Sequence, residues 1–381
     1  MKILVAGDFC PRYRVEKLFN YCDFTSVLGE IKNVTNSVDY SIVNFECPVC
    51  NEGTKPIVKY GPNLFCSESG VEALKYVGFN CVTLANNHFF DYGEDGVRSS
   101  LMAFNRNHVD FVGGGTDLCE AARILYKQIG EKKLAIINCC ENEFSIATEQ
   151  RAGSNPLNPI RQYYAIKEAK SNADYTVIIV HGGHEQYNLP SPRMKEIYHF
   201  FVDVGADAVI NHHQHCYSGY EVYKEKPIFY GLGNFCFDYE GIPPVGWNEG
   251  YMIILDFSNG DASFEIIPYE QCKNGPFLRL LSFNAISDEL ERLNKIICDD
   301  VLLKKYAYQY YKECMKTVAY TIEPTQNRYI AALQHRRILP SPWVQSWMVK
   351  LRNFVMCESH RDKLEYFLKN FNKYESYNKR N

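Results

Sequence analysis

The sequence predicts an α/β domain followed by a helical region, and three features predict this class. Over the first 280 residues, short runs rich in β-branched residues alternate with helical patterns, as in proteins whose sheets are covered by helices. Several of these runs end in Asp, Glu, Asn or His. After about residue 283 the apolar spacing becomes helical. We therefore expect an α/β domain over 1–280 and a basic, predominantly helical region over 281–381.

The predicted strands are short apolar runs bounded by polar or glycine residues, which is the pattern of buried strands. Two of them flank Asn259 and Gly260, a pair that favours the tight turn of an antiparallel hairpin. In chain order the predicted strands cover 2–7, 40–45, 80–85, 133–139, 175–180, 207–210, 226–231, 250–257 and 262–269.

Helical patterns lie between the strands and fill the C-terminal region. The segment 191–205 begins with Ser191 as a cap and Pro192 in the first turn and ends at Gly205, which are helix start and stop signals. Ser287 is the predicted N-cap of a long helix in the C-terminal region. The other predicted helices cover 69–78, 344–356 and 359–372, and 320–343 is an irregular connection.

The composition is that of an ordinary globular protein. The chain has 381 residues, 46% of them hydrophobic and 23% charged. No apolar run approaches the length of about 18 residues that a membrane-spanning helix needs. The N-terminus has a short apolar run without a cleavage site, so we expect no signal peptide and a cytoplasmic protein. The 15 cysteines are then free thiols, and the lone pair Cys47 and Cys50 lacks the second pair that a structural zinc site requires.

The net charge of −4 hides an uneven distribution. Residues 301–381 carry 15 Lys and Arg against 6 Asp and Glu, whereas residues 1–300 carry 26 against 39. The acidic first part would repel phosphate backbones, so we expect no nucleic acid as a partner. The basic part has two interpretations. In 341–356, Trp343 and Trp347 lie at helical spacing. The first interpretation is a helix that contacts the inner face of a membrane, and the second is an amphipathic helix packed on the main domain.

Polar side chains of the types that bind metals follow five predicted strands. Six of the 10 histidines fall between residues 181 and 215. Because loops that leave neighbouring strands meet at the carboxyl edge of a sheet, we expect these side chains to lie close together. Carboxylates, a carboxamide and imidazoles suit Mn, Fe, Zn or a mixed pair of ions. The strand-end residues are Asp8, Glu46, Asn86, Asn87, His88, His181, His212, His213 and His215.

The segment VINHHQH, residues 209–215, contains a His-x-His pair that supports a metal site. If the backbone there is extended, side chains alternate, so His213 and His215 point to one side and His212 points to the other. The alternative is that all three histidines are exposed loop residues.

Seven motifs occur along the chain in this order: GDFCPR, NFECPV, LANNHFFDYGEDG, GGGTDLCEA, HGGHEQY, GADAVINHHQHCYSGYE and KPIFYGLGNFCFD. As a set they resemble the capsule-biosynthesis CapA family, also called the poly-gamma-glutamate synthesis protein family. This bacterial family resembles a branch of the calcineurin-like metallophosphoesterases. The likeness covers about residues 1–245.

This resemblance implies a four-layer α/β/β/α sandwich with a centre for two metal ions at the strand ends. It implies that Glu46 bridges the two ions and that His88 meets the substrate oxyanion or the leaving group. It also implies that Glu185 orients a ligand or acts as an acid or base. The metal ligands that it implies are Asp8, Glu46, Asn87, His181, His213 and His215.

Two departures from the family pattern bear on the site. Cys10 stands where the wider superfamily has the His of Asp-x-His, so either its thiolate binds a metal or the site holds a single tight metal. Asn211 stands where a glycine is usual.

Arg12 or Arg14 follows Asp8 closely and could bind a phosphate or carboxylate through its guanidinium group. The candidate catalytic residues are His88, Glu185 and Arg12.

The leading hypothesis is a metal-dependent hydrolase, namely a phosphoesterase acting in the biosynthesis of a capsule or another surface polymer. Its cofactor would be one or two divalent ions, Mn, Fe or Zn, and its substrate a phosphorylated or anionic glycan or polymer. Two alternatives stay open. One is an amide or peptide hydrolase, or a transferase, acting on a gamma-glutamyl polymer at the same metals. The other is a capsule assembly factor without catalysis, which the missing His at position 10 favours.

Overall fold

The computed structural model describes residues 1–321 and 327–340, apart from positions 52, 60, 259 and 261. The predicted turn at Asn259 and the predicted helices at 344–356 and 359–372 lie outside the described residues. The same holds for the Trp343 and Trp347 pattern.

The described residues form strands and helices that alternate along the chain. The strands are β1 Lys2–Phe9, β2 Tyr40–Phe45, β3 Cys81–Thr83, β4 Asp110–Val112, β5 Gly114–Gly115, β6 Leu125–Ile129, β7 Lys132–Cys140, β8 Gly153–Ser154, β9 Tyr175–His181, β10 Ala208–His212, β11 Tyr220–Tyr223, β12 Lys226–Phe229, β13 Asn234–Cys236, β14 Glu249–Asp256, β15 Ser263–Gln271 and β16 Leu278–Leu280. The helices are α1 Tyr13–Asn20, α2 Phe24–Leu28, α3 Ile31–Thr35, α4 Ser69–Val77, α5 Gly93–Arg106, α6 Leu118–Ala121, α7 Pro159–Asn172, α8 Pro192–Val204, α9 Ser287–Cys298, α10 Asp300–Thr321 and α11 Arg328–His335.

Two large sheets are built from these strands. In the first sheet, β1 to β4 run parallel side by side, and β14, β15 and β16 extend it in antiparallel fashion beyond β1. The end of β1 also pairs with β13. The second sheet has the order β11-β12-β10-β9-β7-β6, in which β7, β9, β10 and β12 are parallel. The pairing of β14 with β15 confirms the predicted antiparallel hairpin.

Among the described residues, three apolar cores lie between four layers of sheets and helices. One core lies between the two sheets, where Ile3 and Ile42 of the first sheet meet Ile136 and Ile179 of the second. A second core joins the first sheet to α1 through α5. A third core joins the other face of the second sheet to α7, α8 and α9. The order helix, sheet, sheet, helix confirms the predicted α/β/β/α sandwich.

Burial on both faces explains why the strand runs are almost continuously apolar. In β1, Ile3 and Val5 face the core between the sheets, whereas Leu4 and Ala6 face the helices. Alternate residues of a strand point to opposite faces, so a strand covered on both sides needs apolar residues at nearly every position. The same pattern makes these strands visible in the sequence.

Helix starts follow the predicted capping residues in one case and not in another. Ser191 caps α8, because its hydroxyl oxygen accepts a hydrogen bond from the backbone N–H of Met194 at 3.2 Å. Ser287 is not an N-cap, and that prediction was wrong by one position. The 3-10 turn Phe283–Ala285 leads directly into α9, so Ser287 is its first residue and donates to the carbonyl of Asn284.

The chain clusters into two compact units, Met1–Ala307 and Tyr308–Asn381. Helix α9 belongs to the first unit, since Leu290 lies in the core between the sheets and Leu293 in the outer core. The domain boundary at residue 280 stays a prediction. No helix within the described ranges is long and apolar enough to cross a membrane.

Candidate metal centre

The candidate site lies where the carboxyl ends of the parallel strands of both sheets meet. Loops that leave neighbouring parallel strands gather at such an edge. Each strand contributes only one or two of the side chains, so the site exists only in the folded chain. The side chains are Asp8 in β1, Glu46 after β2, Asn87 after β3, His181 at the end of β9, and His213 and His215 after β10, and all are buried.

Three donor atoms lie around Nε2 of His181, which makes a group of four with that nitrogen. This nitrogen is 3.0 Å from Nδ1 of His213, 3.0 Å from Oδ1 of Asn87 and 3.5 Å from Oε1 of Glu46. A tetrahedral ion with bonds of about 2.0–2.1 Å would separate its donors by about 3.3 Å. These residues therefore have the spacing and the donor types of a cation site. Glu46, Asn87, His181 and His213 are called the first donor group below.

Glu46 also belongs to a second set of donors. Nε2 of His215 is 3.6 Å from Oε1 of Glu46, and Nδ1 of His215 is 3.5 Å from Oδ2 of Asp8. Asp8, Glu46 and His215 lie close enough together to hold one ion, and they form the second donor group. Glu46 is shared by the two groups, which is the position of the bridging carboxylate that the family resemblance implies.

The surroundings of Glu46 fit a cation. Both carboxylate oxygens are buried, and neither has a hydrogen-bond partner among the described residues. Burial raises the pKa of Glu46 well above its usual value. A buried carboxyl group without partners costs free energy unless a cation or a proton compensates it.

The imidazoles of the two groups differ in their electrostatic surroundings. Burial and the neighbouring His213 lower the pKa of His181 well below its usual value. Burial and His215 lower the pKa of His213 to about 4. Burial acts in the same direction on His215, but Glu46 and Asp8 outweigh it and raise the pKa of His215 to about 10. Metals bind the neutral imidazole, so His181 and His213 need lose no proton near neutral pH.

Neighbouring polar groups hold the candidate ligands in place. Nδ2 of Asn44 donates to Oδ1 of Asp8 at 2.7 Å, and the backbone N–H of His213 donates to Oδ2 of Asp8 at 3.3 Å. Oδ1 of Asn234 lies 2.9 Å from Nδ1 of His215, which leaves Nε2 of that ring to face Glu46. Partners of this kind orient a ligand and fix which ring nitrogen faces an ion.

The backbone around the His-x-His pair is not extended. β10 ends at His212, and His213 and His215 have φ angles of 102° and 57°. Two residues with positive φ, not strand alternation, therefore turn both rings into the site. His212 does not point away, because its Nδ1 is 3.5 Å from Oδ1 of Asp8. All three histidines are buried, which contradicts the alternative of exposed loop residues.

Cys10 belongs to neither donor group in the described part of the chain. It is buried in the core between the first sheet and its helices, where its thiol contacts Cys47. Burial and the Cys47 thiol raise the pKa of Cys10 well above its usual value. This favours the neutral thiol over the thiolate that binds metals.

His88 lies beside the donor groups and is held by Asp91. Nδ1 of His88 is 2.7 Å from Oδ2 of Asp91, and Lys59 pairs with the other carboxylate oxygen of Asp91. With Nδ1 bonded to Asp91, Nε2 is the ring atom left for a ligand in the cavity that His88 lines. Burial lowers the pKa of His88, although Asp91 opposes this effect.

A cavity of about 470 Å³ adjoins the donor groups. The guanidinium of Arg12 stacks on Tyr13, 4.7 Å from the ring centre, and remains in the cavity wall. Arg14 instead forms a two-point ion pair with Asp238, at 2.6 and 2.9 Å, so Arg12 is the arginine placed to bind a ligand. The lining includes Arg12, Lys59, His88, Glu143, Glu185 and His215.

The sequence prediction missed Lys59 and Glu143. The Lys59 side chain is only 2% exposed, although it comes from a segment without regular structure that no local pattern marks. Oε1 of Glu143 is 3.8 Å from Nε2 of His213. Glu143 lies three residues after β7, so the strand-end signal that identified the other residues could have found it.

Asn211 has a specific task at the position where a glycine is usual. Its Nδ2 donates to the carbonyls of Gly182 and Tyr230, and its Oδ1 accepts from the hydroxyl of Tyr198. These bonds tie the end of β10 to the loop after His181. The departure from glycine therefore connects two loops that carry candidate ligands.

Two comparisons identify sequence relatives of the chain. The bacterial capsule synthesis protein family PGA_cap matches residues 2–239. The chain is 31% identical over 288 residues to the capsule biosynthesis protein CapA of Bacillus anthracis, covering 72% of this chain and 69% of that protein. It is 30% identical over 271 residues to the PGA biosynthesis protein CapA of Bacillus subtilis (strain 168), covering 69% of this chain and 70% of that protein.

Solved structures with a similar arrangement include a phosphatase and a 5'-nucleotidase. A novel phosphatase from Mycoplasma pneumoniae matches with a TM-score of 0.43 and 17% identity, covering 70% of this chain and 92% of that chain. A 5'-nucleotidase from Candida albicans SC5314 matches with a TM-score of 0.40 and 10% identity, covering 82% of this chain and 57% of that chain. The sequence relatives confirm the resemblance that the motifs predicted. The chain belongs to the bacterial capsule synthesis protein PGA_cap family.

Proposed function

We propose that this protein is a metal-dependent hydrolase, namely a phosphoesterase that acts in the biosynthesis of a capsule or another surface polymer. The observation that carries the proposal is the pair of buried donor groups that share Glu46. The cavity beside them contains the candidate acid His88 and the cation of Arg12. The names of the relatives, capsule and PGA biosynthesis proteins, support the biological setting.

Mn, Fe or Zn as divalent ions suit these mixed carboxylate, carboxamide and imidazole donors. When bound, such ions supply a Lewis acid that neutralises charge on a phosphoryl oxygen. The chain itself holds the donors: the first donor group would bind one ion and the second donor group another. Because every donor is buried, the surrounding core fixes their positions before any ligand arrives.

His88 is the proton donor in this proposal. Its bond to Asp91 fixes the ring and leaves Nε2 for the leaving-group oxygen. Burial lowers the pKa of His88 against the opposing effect of Asp91, so the ring gives up a bound proton more readily but carries one in a smaller fraction of molecules. Glu185, at the same cavity, would orient the ligand or act as an acid or base.

Arg12 would bind the anionic part of the substrate. The planar guanidinium offers several N–H donors that match two oxygens of a phosphate or carboxylate. No carboxylate lies within ion-pair distance of Arg12 among the described residues, in contrast to Arg14 and Asp238. This supports a phosphorylated or anionic glycan or polymer as the substrate.

A second candidate function is hydrolysis or transfer at a gamma-glutamyl amide. The same Lewis acid that polarises a phosphoryl group also polarises a carbonyl. The names of relatives favour this candidate, since one is a PGA biosynthesis protein and another, 26% identical, is a probable polyglutamine synthesis accessory protein of Mycobacterium tuberculosis. The word accessory also supports the third candidate, an assembly factor without catalysis.

We further propose a cytoplasmic protein that contacts the inner face of the membrane through its basic C-terminal region. The charge balance of residues 301–381, 15 basic against 6 acidic, supports attraction to anionic lipids. The acidic balance of residues 1–300 argues against nucleic acid as the substrate.

The test of the proposed function measures metal content and hydrolysis together. Protein purified without a chelator or a metal-affinity tag should contain divalent metal by mass spectrometry and should hydrolyse phosphoesters. Asp8→Ala and His213→Ala should each lower the metal content and reduce turnover by about 100-fold, because each removes a donor from one of the two groups. The control is His108→Asn, an exposed histidine far from the donor groups in sequence.

The same assay separates the candidates. Cleavage of gamma-glutamyl amides without cleavage of phosphoesters would favour the second candidate. Bound metal without turnover on either panel would favour the assembly factor. Full activity of a metal-free preparation would overturn the metal-dependent hydrolase.

A further inference from the structure

The motif GGGTDLCEA, residues 113–121, contributes no side chain to either donor group among the described residues. It instead forms one wall of a groove of about 940 Å³, to which Thr116, Asp117 and Glu120 belong. One face of α7 forms a second wall, since residues three, four and seven positions apart share one side of a helix. The lining residues of that face are Arg161, Tyr164, Ala165 and Glu168.

Two buried amide side chains also line this groove, Asn155 and Gln162, which are 3% and 1% exposed. Nδ2 of Asn155 donates to the carbonyl of Asn138 at 2.8 Å, and Nε2 of Gln162 donates to the carbonyl of Pro156 at 3.0 Å. A carbonyl can only accept a hydrogen bond, so these contacts fix which end of each amide is the oxygen. Neither amide oxygen has a hydrogen-bond partner among the described residues. Because a buried acceptor without a donor costs free energy, a donor bound in the groove would stabilise both.

The rim of the groove combines an aromatic ring with charges of both signs. Tyr164 is 66% exposed, so its ring offers an apolar face to a ligand. A hydroxyl group both donates and accepts, so it matches guanidinium groups and carboxylates alike, whereas a polyanion would meet more carboxylates than guanidinium groups. The charged lining residues are Arg123, Arg161, Asp117, Glu120 and Glu168.

A short segment joins the groove to the candidate metal centre. Ser154 precedes Asn155, and its hydroxyl donates to the carbonyl of Asn86 at 2.9 Å, in the loop after β3. The backbone carbonyl of Asn155 accepts from the N–H of Cys140 at 2.9 Å, and Cys140 pairs with His181 in register. The groove and the centre therefore lie at the same carboxyl edge of the strands.

We propose that this groove binds an uncharged glycan beside the candidate metal centre. The apolar face of a sugar ring stacks on Tyr164, and hydroxyl groups of the ring donate to the oxygens of Asn155 and Gln162. Arg161 and the carboxylates of the rim bind further hydroxyl groups. Binding here needs neither the donor groups nor turnover, so it goes beyond the proposed function.

The experiment measures binding of uncharged trisaccharides to the full-length protein by calorimetry. The probes are maltotriose, cellotriose and the trimer of N-acetylglucosamine, and the anionic comparators are trigalacturonate and triglutamate. At least one uncharged trisaccharide should bind with a dissociation constant of about 1 mM or below, and neither comparator should bind as tightly. Tyr164→Ala and Arg161→Met should each weaken that binding by about tenfold, because each removes an exposed side chain that contacts the sugar.

Gln162→Met tests the buried acceptor and should also weaken binding, with circular dichroism as the check that the variant is folded. The matched controls are Tyr21→Ala and Arg98→Met, which change an exposed tyrosine and an exposed arginine that do not line the groove. Asp8→Ala should retain sugar binding, since the groove does not use the donor groups.

Each outcome decides the proposal. Absence of binding by all three uncharged trisaccharides, or unchanged binding in Tyr164→Ala and Arg161→Met, would overturn it. Tighter binding of triglutamate or trigalacturonate would assign the groove to an anionic ligand and would also overturn it. Binding that is lost in Asp8→Ala but kept in Tyr164→Ala would place the sugar at the metal centre, which overturns the groove and leaves the proposed hydrolase intact. If Gln162→Met does not fold, the two rim variants decide.

Discussion

Lys59 joins an irregular segment of the chain to the loop that carries Asn87 and His88. Its ammonium group pairs with Asp91 and lies 3.0 Å from Nδ1 of His88. Asp91 also accepts a hydrogen bond from the backbone N–H of Leu64 at 2.7 Å. A single buried carboxylate thus anchors a ring of the candidate site and the segment that covers it.

Replacing Lys59 tests whether its ammonium group stabilises the buried carboxylate of Asp91. Lys59→Met should lower the free energy of unfolding by about 3 kcal/mol, because it leaves the buried carboxylate of Asp91 without its cation. The measurement is urea denaturation at pH 7. The control is Arg98→Met, which removes an exposed ion pair with Glu94 at 3.7 Å and should cost below about 0.5 kcal/mol. Equal losses in the two variants would show that His88 and Leu64 alone stabilise Asp91.

At the scale of the element, the close approach of β13 to β1 positions Asp8. A Cβ atom at Gly7 would lie 2.0 Å from the carbonyl oxygen of Gly233, so only glycine permits this contact. The backbone N–H of Asp8 donates to that same oxygen at 3.1 Å. The pairing also brings Asn234 beside His215. One glycine therefore sets the distance between the strand that carries Asp8 and the strand whose Asn234 contacts His215.

Gly7→Ala should separate β1 from β13 and disturb Asp8. We expect the free energy of unfolding to fall by about 1–3 kcal/mol, the range for overpacking in a core. The metal content, measured by mass spectrometry, should also fall, because Asp8 is one of the candidate donors. Gly130→Asn is the control, since a Cβ there meets no atom within 4 Å and Asn tolerates its φ of 57°. A Gly7→Ala protein with wild-type stability and metal content would contradict this account.

At the scale of the whole molecule, α9 packs into the cores of the α/β unit and stabilises it, although the helix follows the predicted boundary at 280. Leu290 fills the core between the sheets, and Leu293, Ile296 and Ile297 fill the outer core beside α8. All four side chains are buried. Removing the chain from residue 281 onward would therefore expose apolar surface in two cores.

Two truncations measure this contribution. A protein of residues 1–307 should unfold cooperatively near the melting temperature of the full chain. A protein of residues 1–280 should lose roughly 6 kcal/mol or more, because each buried aliphatic side chain contributes about 1.5–3 kcal/mol. Calorimetry of both proteins is the measurement, and equal melting temperatures would contradict the assignment of α9. The protein of residues 1–307 also tests membrane binding. Loss of liposome flotation on removing 308–381 would support contact through that region.

Much of the fold was visible in the sequence because burial on both faces marks a strand locally. Each of the nine predicted strands is present in the structure, with ends shifted by up to two residues. The strands that were not predicted are the short strands β4, β5, β8, β13 and β16 and the edge strands β6 and β11. Edge strands such as Leu125–Ile129 are only partly buried, so their apolar pattern is weak. Three-residue strands such as Asn234–Cys236 are too short to form a pattern, and their pairing depends on distant partners.

The sequence by itself determined the chemistry of the centre. Aspartate, glutamate, asparagine and histidine at strand ends define which donors are available, and the carboxyl edge of a parallel sheet collects them whatever the details of packing. Only the tertiary structure decided which of these donors lie close enough together to share an ion. The direction of a side chain in a loop depends on packing from segments far away in the chain, and such packing holds Cys10 in the core, turns His213 and His215 inward and buries Lys59 beside Asp91.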